Sequence, residues 1–529
     1  LRQSRIFRHD GACEIVFPSR GKTIESDHMI VVRSLVLIGL IACGGRAAVT
    51  DDDPLAAITA LETAVSNAIA KAQPSVVAIT RIRSENGETL AVRGALEPRS
   101  EPSPIAVPPE RPGFPNVGNP IDIDQSRSLD AAPLPGDFGG GVIVGKNGEI
   151  LTTYHLIKGS SQIRVRGRGF VFDAEIIAAD PRIDLAIIVP KQGVVTQNLK
   201  PLPIGDADKL RQGSFLIALG NPYNAARDGR ASASLGILSN IARKLDPPVD
   251  KDVNIRRLFK FQPTLMQLDS RLNLGMSGGV VINLRGELVG LTTTGASPAG
   301  YDAAAGYAIP LDALGSRAVS ELIQGKEVEY SFIGIALDFA PNTIRQVQPG
   351  TPADEANLAT GDRILAVAGR ELADDESALP LALAAVPVGE PVRLKVLHNG
   401  EVVDREMIMS KYPTSEQEKS EVIATNRPAP WRGARIDFTS VLGDASQFEP
   451  TLKAMSRGSV GVVEVVSGSA AESVGLARGT VIKAVAGKPV NTPAQFRAAV
   501  SALDGKPVEL TVMGAGAFDQ ARKVMVPPK

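Results

Sequence analysis

Gly275-Met276-Ser277-Gly278-Gly279 sets a serine among glycines. Upstream lie His155, in Ile150-Leu151-Thr152-Thr153-Tyr154-His155, and Asp184, in Asp180-Pro181-Arg182-Ile183-Asp184-Leu185-Ala186. Each is flanked by a short apolar run of strand-like length. The chain has only four histidines, His9, His28, His155 and His398. Two precede any plausible mature start and one lies far downstream, which leaves His155 as the base.

A serine hydroxyl is too weakly acidic to attack an amide at neutral pH. An imidazole within hydrogen-bond reach takes its proton and later hands it to the leaving amine. A carboxylate behind the imidazole fixes its tautomer and stabilises the imidazolium. The glycines allow a sharp turn through Gly275, Met276 and Ser277 that aims N–H groups at a developing oxyanion. Gly275 and Ser277 are the expected donors, each worth about 3 kcal/mol. Taken singly, the residues have plainer readings: a Gly-rich turn, a core histidine, a strand cap. In this order, with strands around each, they point to a serine protease.

At 529 residues the chain has room for about three domains. It is 43% hydrophobic, 22% charged and 4% aromatic, with 51 Gly and 38 Pro, which suits β-rich domains joined by loops rather than a coiled coil. A net charge of −1 gives no electrostatic footprint for nucleic acid.

Residues 1–28 carry no periodicity and read as sequence upstream of a true start at Met29. Arg33 and the apolar run Ser34 to Ala42 make 29–47 a signal peptide. Leu40-Ile41-Ala42-Cys43 resembles a lipobox, in which Cys43 is acylated; the competing reading is cleavage near Gly45-Arg46-Ala47. The other cysteine, Cys13, falls in the leader, so neither a disulfide nor a Cys-based metal site is expected in the mature chain.

Asp53 to Ala72 reads as an amphipathic helix and Val76-Val77-Ala78-Ile79 as a first strand. Residues 84–135, rich in Pro, Glu, Arg and Ser, read as a long mobile loop. From Gly139 to Pro310, short apolar runs between turn residues argue for a pair of antiparallel barrels, interrupted by a polar loop at 244–251. Farther on, Gly350–Gly369 aligns without gaps to Gly468–Gly487, with ten of twenty columns identical. Two copies of one small module therefore follow the catalytic unit.

Together these features resemble the HtrA/Deg family: a trypsin-like double antiparallel β-barrel at 53–325, PDZ domains at 330–410 and 431–529, and a linker at 411–430. The motifs that carry the resemblance are Gly220-Asn221-Pro222, the Ser277 pentapeptide and Tyr307-Ala308-Ile309-Pro310. Departures are Leu274, Met276, Val280 and Thr153-Tyr154, none of which removes a triad group. The resemblance implies His155, Asp184 and Ser277 as triad, and Phe332-Ile333-Gly334-Ile335 as the peptide carboxylate-binding loop of the first PDZ. The counterpart at Trp431-Arg432-Gly433-Ala434 matches poorly. It further implies a periplasmic homo-oligomer, trimeric or a multiple of three, acting on unfolded polypeptides and binding peptide C-termini, with no cofactor or metal.

Two rival readings are a catalytically inactive PDZ scaffold or holdase and an esterase; the triad weighs against the first and the PDZ pair against the second. The position six before the nucleophile is Arg271, followed by Leu272. No acid stands there to select Lys or Arg. Either Leu272 lines an aliphatic specificity pocket or Arg271 points inward and favours acidic residues; the cost of burying an unpaired charge favours Leu272.

Overall fold

The computed structural model describes residues 55–83, 138–193, 199–221, 230–244, 264–270, 272–273, 275–293, 305–375, 378–414, 416–442, 460–514 and 520–528. The expected loop at 84–135, the polar loop from 245 onward, Arg271, Leu274 and Cys43 all lie outside these residues.

A helix at Ala56–Ala72 leads into the first barrel. Its strands are β1 (Val76–Arg83), β2 (Phe138–Ile143), β3 (Ile150–Thr153), β4 (Ser160–Gly167), β5 (Phe170–Asp180) and β6 (Leu185–Pro190). They run in the order β5-β4-β1-β2-β3-β6, and pairing of β5 with β6 closes the ring. The second closed barrel comprises β7 (Phe215–Gly220), β8 (Ser232–Lys244), β9 (Thr264–Leu268), β10 (Val280–Ile282), β11 (Leu288–Thr293) and β12 (Gly306–Pro310).

Side-chain alternation explains why strands such as β6 are buried throughout. Ala186 and Ile188 fill the first barrel with Val77, Ile79, Ile150 and Ile163. Leu185, Ile187 and Val189 face the other way, against Leu219, Val280, Ile282 and Leu291 of the second barrel. Both faces of the strand are therefore core. Each such buried aliphatic contributes roughly 1.5–3 kcal/mol, and the seam between the barrels is where the site forms.

The helix Ala313–Ile323 closes the catalytic unit, capped by Asp312, whose Oδ1 accepts the Gly315 N–H at 2.9 Å. The first module then contains β13 (Ser331–Phe332), β14 (Ile335–Leu337), β15 (Ile344–Val347), β16 (Arg363–Val367), β17 (Arg370–Glu371), a helix at Ala378–Ala385, β18 (Pro391–His398), β19 (Glu401–Ile408) and β20 (Ser410–Lys411). Leu314, Ala318 and Leu322 share one apolar cluster with Tyr330 and Ala384, so this module is packed into the core of the catalytic unit.

The segment expected to be a plain linker at 411–430 is tied down. Its β21 (Ile423–Ala424) pairs antiparallel with β5 through Ala179 and Ala178, adding a strand to the first barrel's sheet. The second module repeats the order of the first, with β22 (Ala434–Phe438), β23 (Val460–Val465), β24 (Val481–Val485), β25 (Lys488–Pro489), a helix at Pro493–Ser501, β26 (Val508–Met513) and β27 (Arg522–Val526). The sequence repeat coincides with structure. Ala368-Gly369 and Ala486-Gly487 all have positive φ, the two-residue hairpin turns that join β16 to β17 and β24 to β25.

Candidate active site

Asp184 ends the β5–β6 turn in the left-handed region, at φ +56°. Aspartate tolerates that conformation better than most residues. Surrounding contacts hold it there: the Asp184 carbonyl accepts the Tyr154 N–H at 3.0 Å, and its fully buried carboxylate grips the next residue twice. Oδ1 accepts the His155 N–H at 2.8 Å, and Oδ2 lies 2.7 Å from His155 Nδ1. An ionised carboxylate can only accept, so Nδ1 carries the proton and Nε2 is left as an acceptor. The imidazole is about one quarter exposed (26%), open to a substrate while its partner is at 0%.

The same turn is anchored at its other end. Asp180 Oδ1 accepts the Arg182 N–H at 2.8 Å, and Tyr330 Oη donates to Asp180 Oδ2 at 3.1 Å. Arg182 Nη2 donates to the Val328 carbonyl at 2.9 Å, and its guanidinium lies 4.6 Å from the Tyr330 ring centre. The connection between catalytic unit and first module thus packs against the loop that carries Asp184.

Ser277 is buried on the opposite side of the barrel seam, in a turn with Gly275 at φ +88° and Gly278 at φ +76°. Space as well as conformation requires these glycines. A Cβ on Gly278 would fall 2.2 Å from the Gly140 carbonyl oxygen and 2.6 Å from Thr152 Oγ1; one on Gly275 would meet the Phe138 ring at 2.6 Å. The turn is laced to both barrels. Gly140 N–H donates to the Ser277 carbonyl at 2.7 Å, Thr152 Oγ1 to the Gly140 carbonyl at 2.8 Å, and Gly278 N–H to the Thr292 carbonyl at 2.8 Å. Thr292 Oγ1 donates to the Met276 carbonyl. Since Thr152 lies three residues before His155, β2 and β3 link the serine's turn directly to the histidine.

Within the turn that runs through Gly275, Met276 and Ser277, the Met276 N–H donates to the Asn273 carbonyl at 3.1 Å and does not point out with its neighbours. Met276 instead buries its thioether beside Gly220, where a Cβ would come within 2.7 Å of the sulfur. The Gly275 N–H makes no hydrogen bond among the described residues.

Comparisons with known proteins agree with this architecture. Residues 139–291 match the trypsin-like peptidase domain and residues 331–408 match the PDZ domain; the second module is not matched. The chain is 29% identical over 395 residues to the periplasmic pH-dependent serine endoprotease DegQ of Escherichia coli K12, covering 72% of this chain and 78% of that one. It is 26% identical over 391 residues to the periplasmic serine endoprotease DegP of Salmonella typhimurium LT2, covering 71% and 73%. The chain is a trypsin-like serine endopeptidase, similar to those of the HtrA/Deg type. A solved HtrA-type protease, AlgW with decapeptide, is 23% identical and covers 66% of this chain and 99% of its own, at a TM-score of 0.42.

Leu272 stands against Gly306, where a Cβ would come within 2.6 Å of the leucine side chain. Arg271, the alternative to Leu272 at the specificity pocket, is outside the described residues. In the first module Ile333 and Gly334 are buried while Phe332 and Ile335 are half-buried. Gly334 has φ +83°, its carbonyl accepts the Gln348 N–H at 2.8 Å, and Phe332 packs edge-on to Tyr412.

The second module differs at this loop. Arg432 and Gly433 both have positive φ, which folds Trp431–Ala434 into a two-residue hairpin. Trp431 N–H donates to the Ala434 carbonyl and Ala434 N–H to the Trp431 carbonyl, both at 2.8 Å. Arg432 is drawn inward to the Val526 and Lys506 carbonyls. No such bridge closes Phe332 to Ile335 among the described residues.

Thr152, Thr292 and Gly140 were missed from sequence as part of the site. The run Gly139-Gly140-Gly141 inside a strand was the available signal, because interior strand glycines mark close backbone approach.

Proposed function

We propose that Ser277 is the nucleophile, His155 the general base and Asp184 the residue that orients it, with the Gly275 and Ser277 N–H groups as oxyanion donors. The observation that carries this reading is the double grip of Asp184 on His155, through ring nitrogen and backbone N–H together. Such a grip sets the ring's tautomer and its position at once. Nε2 then accepts the Ser277 proton as Oγ attacks the substrate carbonyl, and returns it to the leaving amine.

The substrates on this reading are unfolded or misfolded exported polypeptides, and the place of action is the periplasm, the compartment printed in the names of its relatives. Phe332-Ile333-Gly334-Ile335 receives peptide C-termini by adding a strand beside β14, in the manner of a PDZ domain. The second module is a PDZ-type domain with a closed loop. Residues 53–325, 330–410 and 431–529 are the working domains, Leu272 lines an aliphatic specificity pocket, Cys43 is the candidate lipid attachment point, and the protein works as a homo-oligomer, a trimer or a multiple of one.

A fluorophosphonate probe tests the chemical core. One adduct should form on intact protein, map to Ser277 and disappear in His155→Ala. An adduct elsewhere, or labelling that survives His155→Ala at the wild-type rate, would overturn the assignment.

A further inference from the structure

The histidine sits on a helix of one turn, Tyr154–Ile157. So short an element leaves most of its carbonyls without partners of its own. Lys158 N–H satisfies the Tyr154 carbonyl at 2.9 Å, and Ser160 Oγ satisfies that of Ile157 at 2.6 Å. The carbonyl of His155 itself goes to a side chain from another element. Arg81, near the end of β1, donates through Nη1 to the His155 carbonyl at 3.2 Å and to the Lys158 carbonyl at 2.9 Å.

Arg81 is 9% exposed, and its strand is held on both sides, by β2 and by β4. A guanidinium is expensive to place there, and bridging two carbonyls with a rigid, planar donor offsets part of that cost. The two bonds fall on the turn that carries the histidine. Asp184 fixes His155 from its N–H and its ring; Arg81 fixes the other peptide group of the same residue.

We propose that Arg81 is a positioning residue for the general base, clamping the His155 peptide so that Nε2 is held in register with Ser277. Arg81 bonds the backbone of the turn that carries His155 and acts on the chemistry through that residue. The proposal rests on the reading of His155 as the base. It assigns a role to a residue that the strand pattern leaves as one more charge in Thr80-Arg81-Ile82-Arg83.

The test compares Arg81→Met and Arg81→Lys with wild type in the full-length protein. Steady-state cleavage of a quenched peptide, the second-order rate of Ser277 phosphonylation and the melting temperature are measured for each. Arg81→Met should lower kcat and the phosphonylation rate together, by roughly 10- to 100-fold, since an ångström's misplacement can cost about 10²-fold. KM should stay unchanged, and Arg81→Lys should recover part of the loss because an ammonium can reach one carbonyl. A folded Arg81→Met that labels at the wild-type rate overturns the proposal, as does a loss that merely follows the folded fraction. If Arg81→Met does not fold, Arg81→Gln, which offers a neutral amide to one carbonyl, carries the same comparison. Failure of the underlying site would show separately, as wild type that does not label at Ser277.

Discussion

Arg182 Nη2 donates to Asp180 Oδ2 at 2.7 Å, with 2% and 0% of the two side chains exposed. Burial alone would push the guanidinium's pKa down, but the Asp180 charge outweighs it and holds the group above its ordinary value. Removing one partner of a buried pair costs more than the pair contributes, because the other charge is left without compensation. Arg182→Leu should therefore destabilise the protein by about 3–5 kcal/mol, read from urea unfolding. Adding Asp180→Asn should restore part of it. A double variant no more stable than Arg182→Leu would contradict the pairing.

Asp184→Asn separates chemistry from folding. Asparagine also tolerates φ near +56°, so the turn should survive and the melting temperature should change little. The amide can present N–H where the carboxylate accepted, which favours the wrong imidazole tautomer. Proteolysis should fall by about four orders of magnitude. A folded variant retaining a tenth of wild-type activity would remove Asp184 from the mechanism.

The two modules should differ in binding. A peptide with a free C-terminal carboxylate should bind the full-length protein, and its amidated form should not. Gly334→Ala should abolish binding, because φ is +83° and a Cβ would fall 2.2 Å from the Thr351 side chain. Gly433→Ala should leave it intact, since the loop at Trp431–Ala434 is already closed on itself. Binding lost only in Gly433→Ala would reverse the assignment.

Asp312 gives a pH dependence of stability. Burial pushes its carboxyl up to about 6; the Gly315 N–H opposes this, nearby Asp208 adds to it, and Arg370 opposes it. In the unfolded chain it titrates near about 3.9. Between those values the folded protein keeps a proton the unfolded chain has lost, so this group lowers stability as pH rises from about 4 to about 6. Asp312→Asn cannot ionise and keeps an oxygen for the Gly315 N–H. It should melt above wild type at pH 7–8, with the gap closing toward pH 4. A gap that widens as pH falls would have the wrong sign.

The fold was legible where local rules and global packing agree. The unbroken apolar run Leu185-Ala186-Ile187-Ile188-Val189 reads as a buried strand, and the repeat of Gly350–Gly369 in Gly468–Gly487 marks a duplicated module before any coordinates. His155, Asp184 and Ser277 stood out by type and order. What sequence could not reveal depends on distant partners. Arg182 reads as part of a turn until Tyr330 and Val328 close over it. Ile423-Ala424 is too short an apolar pair, inside a polar stretch, to announce a strand on β5. The Met276 N–H looks like any other donor until Asn273 takes it. Arg81 has no pattern at all, because its partners are the backbone carbonyls of His155 and Lys158.

Digestion of unfolded β-casein by wild type and by Ser277→Ala, at matched concentration with a C-terminal peptide activator present, tests the central claim most directly. Wild type should degrade the casein and Ser277→Ala should leave it intact while melting at the same temperature and binding the peptide equally well. Equal degradation by the two proteins, or none by a folded wild type, would contradict it.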